Sequence, residues 1–372
     1  MTMVSDRPLR VGFDISKSLG VPDGIARYTE LLLSGLLECD PSVRYTLFDL
    51  TADDVDEARL MQMLGSCRSD ITVADRRYPN DTDLDVFHSP AITLPPGRPC
   101  PIAWTLHDVT FLSHPDYHTI DNRVAALSAT VLAACRASAI IAVSHHSKAA
   151  AVELLDLPPE RIEVIHSAAD PFFSPLPHPE RKMATLQRLG IDRPYVLAVG
   201  SLEPRKNLIS LVDAMLQLPA EVRAGISLVT AGPSGWKNRP IHDRLEQASA
   251  ELSIRQLGVV TRSDLALLYS CAEAFVYPSF AEGFGLPVLE AMACGAPVVT
   301  SNCSALPEVA GDAALLVDPE DADAIADAIS RVVGDRALRD DLGQRSLARA
   351  RDFSWQRTAE QTLALYRRMA HR

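Results

Sequence analysis

Short apolar runs alternate with amphipathic stretches along most of this chain. "LRVGFDIS" (9–16) has the look of a buried strand. A glycine-containing loop follows, and then "GIARYTELLLSGLLEC", whose apolar residues recur at helical period. Further apolar runs, "YTLFDL", "DVFHS", "IAWTLHD", "AIIAVS" and "RIEVIHSA", are separated by helical stretches such as 121–138 and 147–155. Five prolines then fall within 171–194, which predicts a linker, because proline breaks regular structure. The rhythm restarts at "YVLAVGS" (195–201) and continues through "NLISLVDAMLQL", "ISLVTAG", "RLEQASAELS", "LGVVT", "LALLYSCA", "AFVYPS", "PVVTS", "ALLV" and "ADAIADAISRVV". Strands alternating with helices predict an α/β class with parallel sheets wrapped on both faces. Two such halves predict two doubly wound, Rossmann-like domains facing each other across a cleft. In sheets of this kind ligands sit outside the carboxyl ends of the strands. Functional residues are therefore expected just after the apolar runs.

Composition narrows the picture. A chain of 372 residues is longer than one core usually serves, which agrees with two domains. The net charge of −12 leaves no basic surplus to neutralise nucleic-acid phosphates. Seven cysteines, with no CxxC pair and no zinc-type spacing, fit free thiols in a reducing cytoplasm. The N-terminus carries no signal-type apolar segment, and no run of about 18 apolar residues could span a bilayer. Contact with a membrane surface stays open, and Arg68, Arg76 and Arg77 are the basic residues considered for it, against the commoner reading of solvated charges.

The most informative stretch is "AFVYPSFAEGFGLPVLEAMACGAPVVT". It reads as a strand, a glycine-bracketed turn, a helix opening at Pro287, a stop at Gly295 and the next strand. Backbone N–H groups at the helix start, near Phe284, Gly285 and Leu286, offer a place for an anion. Glu290, one turn in, has the acceptor geometry for the two vicinal hydroxyls of a ribose. Glu282, ahead of the helix, would face whatever lies beyond the phosphates. A plainer account is that both acids complement the helix dipole. In "VLAVGSLEPRKNLISLVDA" a strand ends at Gly200 and Ser201, and Arg205 and Lys206 follow before a helix. Together they are suited to clamp a diphosphate, although adjacent cations before a helix are often only solvated.

"EPRKN" followed by E-G-F-G-L-P-x-L-E-A-M-A-x-G-x-P-V-V resembles the retaining glycosyltransferases of family 4, of GT-B architecture. The resemblance is strong over 195–320, weaker over the N-terminal half and the final "FSWQRTAEQTLALYRRM". It implies two Rossmann-like domains, an acceptor-side domain over 1–172 and a nucleotide-sugar donor domain over 173–352, with a last helix, 353–372, crossing back to the first. It implies that Arg205 and Lys206 hold the donor diphosphate, with Gly200 and Ser201 beside them, and that Glu290 holds the ribose. By the same resemblance Glu282 contacts the transferred sugar, Phe284, Gly285 and Leu286 give backbone contacts, and Val260 passes near the base. Gly24 of "VPDGIARYTELL" matches the family's glycine loop, though with a single glycine at the turn. His107, at the end of "IAWTLH", is expected to meet a sugar hydroxyl, unless it is a packed histidine satisfied by local backbone. Ser144 either lines the same region or only caps its helix, and Arg27 joins them if the helix phase places it there.

The implied reaction moves a hexose, with mannose from GDP-mannose favoured, from a nucleotide-diphosphate sugar to a saccharide or lipid-linked saccharide in polysaccharide assembly. No metal and no cofactor beyond the sugar-nucleotide substrate are expected. The expected setting is the cytoplasm, with peripheral contact at the inner membrane face left open. Competing readings are a sugar-nucleotide epimerase, a glycoside hydrolase built on the two acids, and a non-catalytic nucleotide-sugar binding protein.

Overall fold

The computed structural model describes residues 7–20, 23–51, 71–74, 84–95, 100–175 and 180–371. Arg68, Arg76 and Arg77 lie outside the described residues. The chain divides into two compact units, one made of 1–113, 123–167 and 354–372, the other of 114–122 and 168–353.

Unit 1 holds a parallel sheet of β1 (Arg10–Asp14), β2 (Arg44–Phe48), β3 (Ile71–Val73), β4 (Val86–Ser89), β5 (Ile102–Leu106), β6 (Ala139–Ala142) and β7 (Ile162–Val164). The strand order is β3-β2-β1-β4-β5-β6-β7. β4 and β5 are buried along their whole length, which is why they read as unbroken apolar runs. Trp104, Ile140, Ala133 and Ala134 belong to one of the cores on the sheet. Inside this unit a neutral polar chain is buried. His88 bonds through Nδ1 to the Tyr366 hydroxyl and through Nε2 to Thr105 Oγ1 at 2.9 Å. Tyr28 reaches the same threonine at 3.3 Å. Burial pushes the His88 imidazole down to about 3, with His107 adding to the shift, so the ring is neutral. Tyr366 sits on the Trp355–Ala370 helix, which therefore belongs to unit 1. Thr358 Oγ1 adds a bond to the His166 carbonyl at 2.7 Å.

Unit 2 holds β8 (Tyr195–Val199), β9 (Ser227–Ala231), β10 (Ser253–Gln256), β11 (Ala274–Tyr277), β12 (Val298–Ser301) and β13 (Ala314–Val317), all parallel, in the order β10-β9-β8-β11-β12-β13. The order reverses between β8 and β11, so their carboxyl ends border the crevice that such a reversal opens. Val196, Leu211, Val212, Met215, Leu228 and Ile329 are in the core that fixes these strands.

Three expectations need correction. "LGVVT" is a loop, and the strand is Ser253–Gln256 just before it. That strand is a largely exposed edge, so polar side chains hide it from an apolar count. Gly258, at φ +64°, bends the chain out of the strand. The stretch 171–194 is not all linker, for its proline-free middle forms the Glu180–Arg188 helix. Leu189 and Ile191 beyond it are buried. The units divide earlier, between Ser167 and Ala168.

Candidate active site

The loop after β8 and the loop after β11 bring four charges together. Glu282 Oε1 accepts from Lys206 Nζ at 2.7 Å, from the Tyr277 hydroxyl at 2.9 Å and from Ser279 Oγ at 2.6 Å. Its Oε2 pairs with Arg205 Nη1 at 2.8 Å. Arg205 Nη1 also donates to the Ala281 carbonyl at 2.6 Å, and Nη2 meets Glu203 Oε1 at 2.7 Å. Lys206 Nζ completes the set by donating to the Tyr277 hydroxyl at 2.6 Å. Burial alone would raise the Glu282 carboxyl, but Arg205, Lys206 and Ser279 together hold it down at about 2. Burial lowers the Lys206 ammonium, and Glu282 opposes that shift. Burial, with the Glu282 charge second, pushes the Tyr277 hydroxyl well above its ordinary value, which keeps it a neutral donor.

Local chemistry explains why these loops hold their shape. Asn207, in the left-handed region at φ 57°, ends the Pro204–Lys206 turn, and its amide donates to the carbonyls of Pro278 and Pro319 at 3.0 and 2.7 Å. The Phe280 N–H donates to the Arg205 carbonyl at 3.0 Å. Gly200 and Gly232 meet backbone to backbone: a Cβ on Gly232 would lie 2.0 Å from the Gly200 carbonyl oxygen, so only glycine fits there. Gly200, Ser201, Lys206, Tyr277 and Pro278 border a cavity of about 20 Å³, enough for one water.

The helix Leu286–Ala293 starts one residue ahead of Pro287. Gly285 stands at its N-cap at φ 109°, with no capping side chain. A Cβ there would press on Leu306 Cδ2 at 2.8 Å. Backbone and packing thus account for this glycine without any ligand. Leu286 is half-buried, and Phe284 is buried with its ring edge against Phe353. Glu290 is half-buried and takes a bond from the Tyr269 hydroxyl at 3.3 Å. Val260 is half-buried on the loop after β10.

The remaining expected residues belong to unit 1. His107, just past β5, bonds through Nε2 to the Pro90 carbonyl at 2.8 Å, and its ring packs edge-on against Tyr28 at 4.8 Å. Burial lowers it, so the ring is neutral with Nε2–H donating. Its Nε2 is thus satisfied by local backbone. Ser144 caps the His145–Leu155 helix by accepting from the Ser147 N–H at 2.9 Å. Gly24 is the first residue of Gly24–Cys39, not the one before it, and the Asp23 carboxylate accepts from the Ala26 N–H at 2.8 Å. The same carboxylate pairs with Lys17 Nζ at 2.7 Å. Arg27 pairs with Glu30 at 2.6 Å.

Tyr277, Ser279, Glu203 and Tyr269 were not singled out from the sequence. The signal for Tyr277 and Ser279 was their place in "VYPS", at the carboxyl end of a buried strand. Glu203 opens the "EPRKN" motif, and Tyr269 carried no signal.

Residues 185–349 match the glycosyl transferases group 1 model, and 69–171 match glycosyltransferase family 4. O-antigen chain mannosyltransferase B of Escherichia coli is 38% identical over 284 residues, covering 76% of this chain and 74% of that protein. The serotype-specific mannosyltransferase WbdA of Escherichia coli is 33% identical over 243 residues, covering 63% of this chain but only 29% of WbdA. The structure of Anabaena Alr3699/HepE in complex with UDP and glucose is similar at a TM-score of 0.72, with 19% identity, covering 96% of this chain and 99% of that one. Parallel sheets of seven and six strands and this likeness establish the GT-B fold. With the family matches in both halves and a 38% identical relative along three quarters of its length, the chain is a glycosyltransferase and belongs to glycosyltransferase family 4.

Proposed function

We propose that unit 2 binds a nucleotide-diphosphate sugar, with GDP-mannose the favoured donor, and that the enzyme transfers the hexose with retention to a saccharide or lipid-linked saccharide. The observation that carries this is the buried Arg205–Lys206–Glu282 cluster at the carboxyl ends of β8 and β11. Mannose is favoured because O-antigen chain mannosyltransferase B and WbdA bear that activity in their names.

Arg205 and Lys206 are the diphosphate clamp. Tyr277 and Glu282 engage two of the three donors of the Lys206 ammonium, and the third turns to phosphate. Glu203 and Glu282 balance the two cations, so the cations can be buried before a donor arrives. The uncapped start of Leu286–Ala293 adds backbone N–H groups, Glu290 takes the ribose hydroxyls, and Val260 lies beside the base. In the reaction the bond from anomeric carbon to phosphate breaks and its electron pair leaves with the diphosphate. Fixed cations aimed at that charge supply most of the acceleration. Every oxygen of Glu282 is already engaged by a donor or cation, which makes it a poor nucleophile. Front-face attack follows: the acceptor oxygen bonds the anomeric carbon on the side the diphosphate leaves, and the acceptor proton passes to the diphosphate. A carboxyl held at about 2 cannot be the general acid that a hydrolase needs at neutral pH.

Thermal-shift screening against nucleotide sugars tests the reading. GDP-mannose at 100 times its dissociation constant should stabilise by about 2.7 kcal/mol. Absence of a shift with every nucleotide sugar would sink it. Transfer is expected to persist in EDTA, and loss of turnover there would overturn the metal-free mechanism. Among the described residues no helix is long and apolar enough to cross a membrane. We place the reaction in the cytoplasm, with the acceptor presented at the inner membrane face.

A further inference from the structure

Residues 114–122 interrupt the sequence of unit 1, yet they belong to unit 2. This strap opens with the turn Pro115–Tyr117. One of its moorings is on the loop after β9: the Trp236 indole N–H donates to the Tyr117 carbonyl at 2.5 Å, and Lys237 Nζ donates to the Asp116 carbonyl at 2.7 Å. The His118 ring also stacks on Trp236 at 5.9 Å. Its other mooring is on the loop after β11, where the Tyr117 ring lies flat on Phe280, centroids 5.3 Å apart and planes 14° apart. β9 and β11 flank β8 in the sheet. The strap thus bridges the loops on either side of the one that carries Arg205 and Lys206.

Phe280 sits at the centre of the charged cluster's scaffold. Its N–H holds the Arg205 carbonyl. Ser279 before it donates to Glu282, and the Ala281 carbonyl after it takes Arg205 Nη1. The loop after β9 is itself tied to the loop after β8, through the bond from Leu202 N–H to the Pro233 carbonyl at 3.0 Å.

Building on the site assignment above, we propose that Tyr117 is a positioning residue for the Arg205–Glu282 pair. From a strap anchored at Trp236 it covers Phe280 and holds the loop after β11 where Ala281 and Glu282 meet Arg205. The contact is a ring stack, so a phenylalanine can supply it and an alanine cannot.

The test compares transfer to acceptor with slow hydrolysis of the donor by water, in wild type, Tyr117→Ala, Tyr117→Phe and Trp236→Phe. Tyr117→Ala is expected to lower kcat of both reactions about tenfold, the size of one lost aromatic pair at the transition state. Tyr117→Phe should restore both. Trp236→Phe, which removes the indole donor and shrinks the ring beneath His118, should lower both by a smaller factor. The proposal is overturned by a wild-type kcat in Tyr117→Ala, by a loss that phenylalanine does not restore, or by a loss confined to the acceptor KM. If the alanine variant does not fold, Trp236→Phe decides on the rate criteria. Glu282→Gln run in parallel separates the two claims. Full transfer by that variant removes the site assignment itself, whereas an inactive Glu282→Gln beside an unimpaired Tyr117→Ala removes only the role of the strap.

Discussion

Each unit buries a polar network, and the two are built on opposite principles. In unit 1 His88, Thr105, Tyr28 and Tyr366 are all neutral and share hydrogen bonds among themselves. In unit 2 Arg205, Lys206, Glu203 and Glu282 are charged and balance one another. A satisfied neutral network fixes packing at modest desolvation cost. Buried charges are a poor way to add stability, so a cluster of them at the carboxyl ends of β8 and β11 points to chemistry. On the function proposed above, the contrast gives structure to one network and turnover to the other.

The sharpest way to break that contrast is Glu282→Gln. It keeps the side-chain shape but leaves Lys206 without its carboxylate and Arg205 with Glu203 alone, and should lower kcat by about 10²–10³-fold, as loss of one preorganised electrostatic contact does. Lys206→Ala should match it. Circular dichroism must show both variants folded, and an unimpaired rate in either would dissolve the distinction.

Acid titration separates the networks by their windows. His88 is depressed from 6.5 to about 3, so the unfolded chain binds the proton more readily. The stability it confers is complete above 6.5 and drains as pH falls toward 3. Glu282 is depressed from 4.5 to about 2, so its contribution is complete above 4.5 and drains as pH falls toward 2. Each slope is at most about 1.4 kcal/mol per pH unit. Asp14, which burial raises to about 7, works in the opposite sense over this window, and His107 is lowered beside His88. The His88 share is therefore read as the difference between denaturant melts of wild type and His88→Gln across pH, and equal slopes between pH 3 and 6.5 would refute the assignment.

A smaller effect is expected for Tyr366→Phe, which leaves the His88 nitrogen without its partner and should cost about 1–3 kcal/mol. The donor-induced thermal shift should survive it. Least of all, Glu290→Gln should weaken donor binding about tenfold while leaving kcat nearly intact, the size of one charge-assisted hydrogen bond.

What the sequence disclosed follows the same physics. β4, β5, β9 and β11 are buried throughout and announce themselves as apolar runs. β3 and β10 are exposed edges, and the Arg336–Ala350 helix is largely polar, so none of the three has a pattern to find. Arg205, Lys206 and Glu282 were legible because they follow buried strands. Their mutual pairing was not, since it joins positions more than seventy residues apart. The same holds for the strap, where nothing in "HPDYHTI" tells the reader which unit it joins.

Unit 1 contains the Trp355–Ala370 helix, while every part of unit 2 precedes it along the chain. Tyr366 can therefore meet His88 only after the whole of unit 2 has been translated, so the unit whose strands are made first cannot close its buried network while they emerge.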